Sequence, residues 1–231
     1  MTGVQTCALP IFVGELQGGK ARQVRIGAST IVLREHLPEV FQNVQKRFPN
    51  LKISLREGYP QDFEQLLLKE ELDLAVTAIE KKPVAGLHSV ALIELPLVLL
   101  VGKENRITAA DQLWARDKIE EPLICLPPAE ALCKSFQQGL ARLGVDWFPG
   151  MEVSSIDLIE TYVAGGFGIG VSVRVPRGKL PPNVRMVPLP DFDPVIVGVL
   201  WRGKTSSLLQ AFLDEFQLRA KRFLQLTAKE T

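Results

Sequence analysis

Along the first eighty residues, short apolar runs alternate with segments of helical period, and this alternation limits the chain to few folds. Val24–Ile26 is a brief apolar run that stops at Gly27-Ala28-Ser29-Thr30, where a helical pattern begins at once. Over Ile31–Phe48 the apolar residues Leu33, Leu37, Val40, Phe41, Val44 and Phe48 share one face of a 3.6-residue period. Pro38 is expected to kink this helix or split off its first turn, and Pro49-Asn50 ends it. "LKISLR" alternates as a strand, Gly58-Tyr59-Pro60 turns the chain, Asp62–Glu70 reads as a helix and "LDLAVTAI" as a buried strand. The order β-α-β-α-β predicts a parallel sheet with helices on its faces.

The remainder repeats the theme. "LHSVALIE" and "LPLVLLVG" are apolar runs, and Asp111–Asp117 is a short helix. "PLICL" reads as a strand, Ala129–Leu143 as a helix, "GMEVSS" as a strand and Ile156–Ala164 as a helix. "FGIGVSV", "VRMVPLP" and "VIVGVLW" follow as strands, and Ser206–Leu226 closes the chain as an amphipathic helix. This count predicts two small α/β units. The first spans residues 24–100 and regains 195–226; the second covers 101–194; residues 1–23 are tail and linker. Two passages of the chain between the units form a hinge with a cleft.

Small and hydroxyl residues gather where strands hand over to helices. Ala28, Ser29 and Thr30 stand at one such point, Tyr59 and Thr77 near two others, and Pro127, Pro128 and Ala129 follow "PLICL". Helix N-termini leave amides unpaired and carry partial positive charge, and open parallel sheets bind ligands beyond the carboxyl ends of their strands. A plain N-cap or turn explains each residue equally well. Ser154 with Asp157 has the spacing of a capping box. Gly165-Gly166-Phe167-Gly168-Ile169-Gly170 leaves a helix and enters a strand, the reverse of a dinucleotide fingerprint. It reads as a helix C-cap followed by close backbone packing.

Neither His36 nor His88 has a Cys/His cluster nearby in the sequence. Cys125 and Cys133 read as two buried small residues or a redox pair. No nucleophile-elbow, phosphate-loop or zinc-protease motif is present, so the reading is a non-enzyme without cofactor or metal. Lys and Arg number 27 against 26 Asp and Glu, which gives no basic stripe for nucleic acid. No apolar run is long enough to span a bilayer, and three cysteines without a Cys-x-x-Cys spacing suit a reducing, cytoplasmic setting. "MTGVQTCALPI", Met1–Ile11, resembles translated sequencing adapter and is set aside with Cys7; that reading implies a gene that starts further upstream.

The segments "VRIGAS", "LPEVFQNVQKRFPNLKISLREG", "LLLKEELDLAVTA", "PLVLLVG", "EPLICL" and "YVAGGFGIGVSV" resemble the effector-binding domain of LysR-type transcriptional regulators from Gln23 to about Leu226. The resemblance implies a type 2 periplasmic-binding-protein fold, two Rossmann-like lobes joined by two crossing strands, with a small metabolite bound between them. It implies that Ala28, Ser29 and Thr30 contact this effector, that Tyr59 and Thr77 line the first wall, and that Pro127, Pro128 and Ala129 form the second, with Val171 and Ser172 nearby. It further implies a homodimer, or a higher assembly, through Leu33, Val40, Phe41, Val44, Ile53 and Leu55. DNA contact would belong to an N-terminal winged helix-turn-helix that this sequence lacks. Two departures stand out: the second wall reads "CLPPAE" where a hydroxyl is frequent, and "GKENRITAADQL" replaces a frequent His-Pro-Leu.

A solute-binding protein of a transporter shares this fold and is the rival reading; it would need a secretion signal or a lipid-anchor cysteine. An enzyme would need clustered acids and bases. On the regulator reading, this chain alone shows no measurable affinity for duplex DNA at moderate salt, because the phosphate-contacting module is missing. Fluorescence anisotropy with a labelled duplex checks this, and operator-specific binding would contradict it.

Overall fold

The computed structural model describes residues 23–79, 82–175 and 178–225. The adapter-like segment, Cys7, nearly all of the expected linker, Lys81 and Leu226 lie outside the described residues. The first sheet contains β1 (Gln23–Ala28), β2 (Lys52–Glu57), β3 (Leu74–Ala78), β4 (Leu87–Leu95) and β10 (Val195–Arg202), in the order β2-β1-β3-β10-β4. The second contains β5 (Leu97–Gly102), β6 (Leu123–Cys125), β7 (Pro149–Glu152), β8 (Ile169–Val173) and β9 (Val184–Pro188), in the order β7-β6-β8-β5-β9. Six helices connect them: α1 (Leu37–Arg47), α2 (Pro60–Leu68), α3 (Asp111–Trp114), α4 (Ala131–Leu143), α5 (Ile156–Ala164) and α6 (Ser207–Gln225).

Both sheets follow one plan. β1 runs parallel to β2 and β3, and β6 runs parallel to β7 and β8, as the strand-helix alternation demands. Antiparallel strands complete each sheet. β10 pairs with β3 and β4, and β5 pairs with β8 and β9. Sheet membership corrects the expected boundary at residue 100. Leu97–Gly102 belongs wholly to the second sheet, so the chain changes lobe at Pro96, between Leu95 and Leu97. The apolar run hid this, because a strand buried on both faces reads the same in either sheet. The second passage lies between Pro188 and Val195.

Apolar residues cover both faces of each sheet. In the first lobe, Ile26, Leu37, Val44, Leu74 and Phe212 fill one side, and Phe63, Leu67, Leu72 and Leu200 fill the other. In the second, Leu97, Leu99, Phe136, Trp147 and Phe192 pack on one side, and Val98, Leu100, Ile124 and Ile159 on the other. The Phe136 and Phe192 rings stack with centroids 5.4 Å apart. The Trp147 indole Nε1 donates to the Glu121 carbonyl at 2.9 Å, which satisfies its polar edge inside this core. Arg25 and Asp73 pair at 2.7 Å, and the same carboxylate accepts the Arg25 backbone N–H at 2.7 Å, fixing the approach to β3 against β1.

The first helix is continuous from Thr30, but Val32–His36 forms a π-helical turn before Pro38. Leu37 donates its N–H to the Val32 carbonyl, five residues back. Pro38 has no N–H for the Arg34 carbonyl, and its ring would crowd that group. The widened turn accommodates both problems, which gives the expected kink its physical form. At the glycine-rich stretch, Gly165 caps α5 and Gly166 takes a φ of +77°. A Cβ on Gly168 would collide with the Pro122 carbonyl oxygen, and one on Gly170 with Ile159.

Gly168→Ala is therefore expected to destabilise the fold by about 1–3 kcal/mol through forced backbone movement. Gly102→Ala, which meets open space, should stay within about 0.5 kcal/mol of the parent. Urea unfolding midpoints of the two variants provide the comparison.

Candidate ligand cleft between the lobes

The carboxyl ends of β1, β2 and β6 lead into polar turns that meet between the lobes. After β1 ends at Ala28, the exposed Ser29 and Thr30 open the first helix, and the Thr30 hydroxyl donates to the Glu57 carboxylate at the end of β2. Tyr59, also exposed, precedes α2, whose first residue Pro60 has no N–H to offer. One residue on, Gln61 Nε2 donates to the Ala129 carbonyl at 2.5 Å, a direct bond from the first lobe to the second. Ala129 lies in the turn after β6, where Pro127 is half-buried and Pro128 is exposed.

Two helix starts at this place lack side-chain caps: neither α2 nor α4 receives a capping bond. Thr30 spends its hydroxyl on Glu57. By contrast, α5 is capped: Ser155 Oγ accepts from the Leu158 N–H at 3.3 Å. This corrects the expected Ser154–Asp157 box. The cap falls one residue later, and Asp157 sits in the first turn, where its charge suits the helix dipole. Uncapped starts leave amide donors and partial positive charge available to an acceptor group.

Carboxylates frame the same region. Burial pushes the Glu130 carboxyl above its ordinary range; Lys134 opposes this, and Asp62, from the facing lobe, adds to it. Arg34, bonded to Glu35, also feels Asp157 of the second lobe. Of the strand residues, Thr77 and Ser172 are both nearly buried. Thr77 lies opposite Gly198 on β10, and Ser172 opposite Val98 on β5, so both border the strands that change lobe.

Several expected residues are placed otherwise. Ala28 and Val171 are fully buried within the lobe cores, and their side chains offer a ligand no surface. Because β8 is covered on both faces, the neighbour of Ser172 necessarily points into a core. Val40 and Val44 are likewise buried, packed with Ile26 and Phe212; their helical face serves this chain's own core, not an interface. Leu33, Phe41 and Ile53 are partly exposed, and Leu55 on the outer strand β2 is 47% exposed. Gln61, Asp62 and Glu130 were not anticipated; their signal was position alone, in or just before the first turns of α2 and α4.

Two surface depressions lie near or away from this site. The larger, about 460 Å³, surrounds Arg106, Gln112 and Arg116 on the second lobe, apart from the strand ends. The smaller, about 160 Å³, is bordered by Arg56, Glu57, Asp62 and Lys69, adjoining the cleft residues of the first lobe. Both histidines lie against rings, His36 edge-on to Phe223 at 5.3 Å and His88 over Trp201 at 5.6 Å. Among the described residues, no group of three or more His, Cys, Asp or Glu is placed to hold a metal. No helix there is long and apolar enough to cross a membrane.

Two mixed sheets, joined by two passages and meeting at uncapped helix starts, define a domain of the type 2 periplasmic-binding-protein kind. The chain belongs to the LysR substrate binding domain family, whose model matches residues 17–221. Among curated relatives, the transcriptional regulator CysB of Burkholderia cenocepacia is 25% identical over 150 residues, 65% of this chain and 48% of that protein. This chain spans about half the length of the curated relatives it matches. The cofactor-binding domain of the Cbl transcriptional regulator superposes with a TM-score of 0.73 at 20% identity, covering 92% of this chain and 98% of that one. The effector-binding domain of QuiR in complex with shikimate gives 0.72 at 15% identity, covering 88% and 99%.

The Glu130 environment has a consequence for stability. A carboxyl that holds its proton more tightly when folded favours the fold below its unfolded pKa, and that contribution is lost as pH rises through the folded value. Glu130→Gln should therefore raise the melting temperature at neutral pH. The gain should shrink as pH falls into the carboxylate range. Melting curves of both proteins from acid to neutral pH test this.

Proposed function

We propose that this domain senses a small polar metabolite in the interlobe cleft and, in a longer regulator, controls DNA binding by an attached helix-turn-helix. The observation that carries this reading is the pair of uncapped helix starts at the cleft, brought together by the Gln61–Ala129 bond. Amides at those starts suit a carboxylate on the ligand. Glu57, Asp62 and Glu130 suit hydroxyl or other donor groups on the same molecule. Ser29, Thr30 and Tyr59 contribute from the first lobe, and Pro127, Pro128 and Ala129 from the second, with Thr77 and Ser172 near the hinge. Shikimate, bound by the QuiR domain, has the chemistry of this class and is a rational first probe.

In this reading the domain is cytoplasmic and not an enzyme, and it works as a pair. β2 is the outer strand of the first sheet and leaves one edge of backbone donors and acceptors open. Leu55 with the partly exposed Leu33, Phe41 and Ile53 supplies apolar area beside it, which favours a second copy laid against this edge. The family membership weighs for the regulator over a transporter's solute-binding protein.

A panel of small hydroxylated carboxylates, shikimate included, tests the reading by thermal shift, since a ligand that prefers the folded state raises the melting temperature. At least one member should raise it, and Ser29→Ala with Thr30→Ala should weaken that ligand's affinity about tenfold while the fold survives. Unchanged affinity in the double variant would remove these residues from the site.

A further inference from the structure

We propose that Ser135, Gly139 and Arg142 are positioning residues: they seat the second passage between the lobes, residues 189–193, on α4, so that the second cleft wall and this passage move as one body. The three lie at i, i+4 and i+7 along α4, a spacing that sets a hydroxyl, a gap and a guanidinium in one stripe. Each meets the passage. Ser135 Oγ donates to the Asp193 carbonyl at 2.5 Å. Arg142 pairs with the Asp193 carboxylate at 2.9 Å and donates through its other terminal nitrogen to the Asp191 carbonyl at 3.2 Å. At Gly139 the missing side chain admits the Phe192 ring; a Cβ there would overlap its carbons. Phe192 is buried, stacked on Phe136 and 6.1 Å from the Trp114 ring.

Glycine inside a helix is unfavourable relative to alanine, and the seat for Phe192 explains why α4 carries one. The Arg142–Asp193 pair is exposed and adds little to stability, but the planar guanidinium, held at two points, fixes the direction of the passage.

This seat ties α4 to the first lobe at a second place. Only Pro194 separates Asp193 from Val195, the first residue of β10, which pairs with Leu95. At the other end Ala129, just ahead of α4, accepts from Gln61 of the first lobe. Arg142 and Ala129 stand roughly 20 Å apart at 1.5 Å of rise per residue, too far to touch. A change at Arg142 therefore reaches Gln61 only by moving the helix between them. That this body carries a ligand wall rests on the cleft reading above; the seat itself does not.

Nuclear magnetic resonance of the full chain tests this. With fluorotryptophan incorporated, the Trp114 signal, assigned by its loss in Trp114→Phe, reports whether Phe192 is seated. The Gln61 side-chain amide, assigned by its loss in Gln61→Ala, reports the contact across the cleft. Gly139→Ala should shift the Trp114 signal, although alanine favours the helix. Arg142→Asp sets two carboxylates against each other and should move the Gln61 amide toward the position of an unbonded glutamine. Adding Asp193→Arg should restore it. Arg142 and Asp193 are both exposed, so these variants keep the fold. An unmoved Trp114 signal in Gly139→Ala would overturn the seat. An unmoved Gln61 amide in Arg142→Asp, or a shift that the exchanged pair leaves in place, would overturn the positioning role. Neither signal involves a ligand, so failure here and failure of the cleft are separate results.

Discussion

The antiparallel pairing of β10 between β3 and β4 is the constraint on which the architecture depends. The chain leaves the first lobe at Pro96, builds the second, and must return to complete a sheet begun far earlier in sequence. β10 covers Val76 with Val199 and Ala75 with Leu200, so the first lobe's sheet is incomplete until the second lobe has been made. Such distant pairing is entropically costly to assemble. It also means that neither lobe is a contiguous segment, and that two chain passages hold them side by side.

From that arrangement follows the position of the cleft. The parallel strands of each lobe direct their carboxyl ends to the facing lobe, and the helices that follow begin there. Backbone bookkeeping does the rest: a helix start needs partners for its first amides, and α5 and α6 find side-chain caps in Ser155 and Ser206 whereas α2 and α4 find none. The starts of α2 and α4 are left to solvent or to a bound acceptor. The Gln61 amide is bonded across to the second lobe, and the Thr30 hydroxyl to the end of β2, instead of back onto their own helices.

Element type and order were legible because period and length agree: "LDLAVTAI" can hardly be other than a buried strand, and Ile31–Phe48 holds a clean apolar face. What the pattern did not reveal was which sheet Leu97–Gly102 joins, since a run buried on both sides records burial and not partners. The same ambiguity misplaced Val40 and Val44, whose apolar stripe suits an interface and a core equally. The side chains of Ala28 and Val171 face the lobe cores for a related reason. A motif locates a turn, but strand alternation decides which neighbour faces out. Gln61 and Glu130 escaped notice because polar residues in first turns are commonplace, and only the opposed lobe makes these two meaningful.

The two passages between lobes place prolines next to each other. Leu95 is paired with Val195, so Pro96 and Pro194 follow and precede the same rung of the ladder. Each ring locks one backbone torsion and narrows the choices of the residue before it. Phe192, just ahead of Pro194, is anchored in the second lobe's core against Phe136. The two crossings between the halves are thereby short and stiff, with few torsions free to turn. Crossings of this kind confine any relative movement of the halves to a bending path and leave little backbone disorder at the junction.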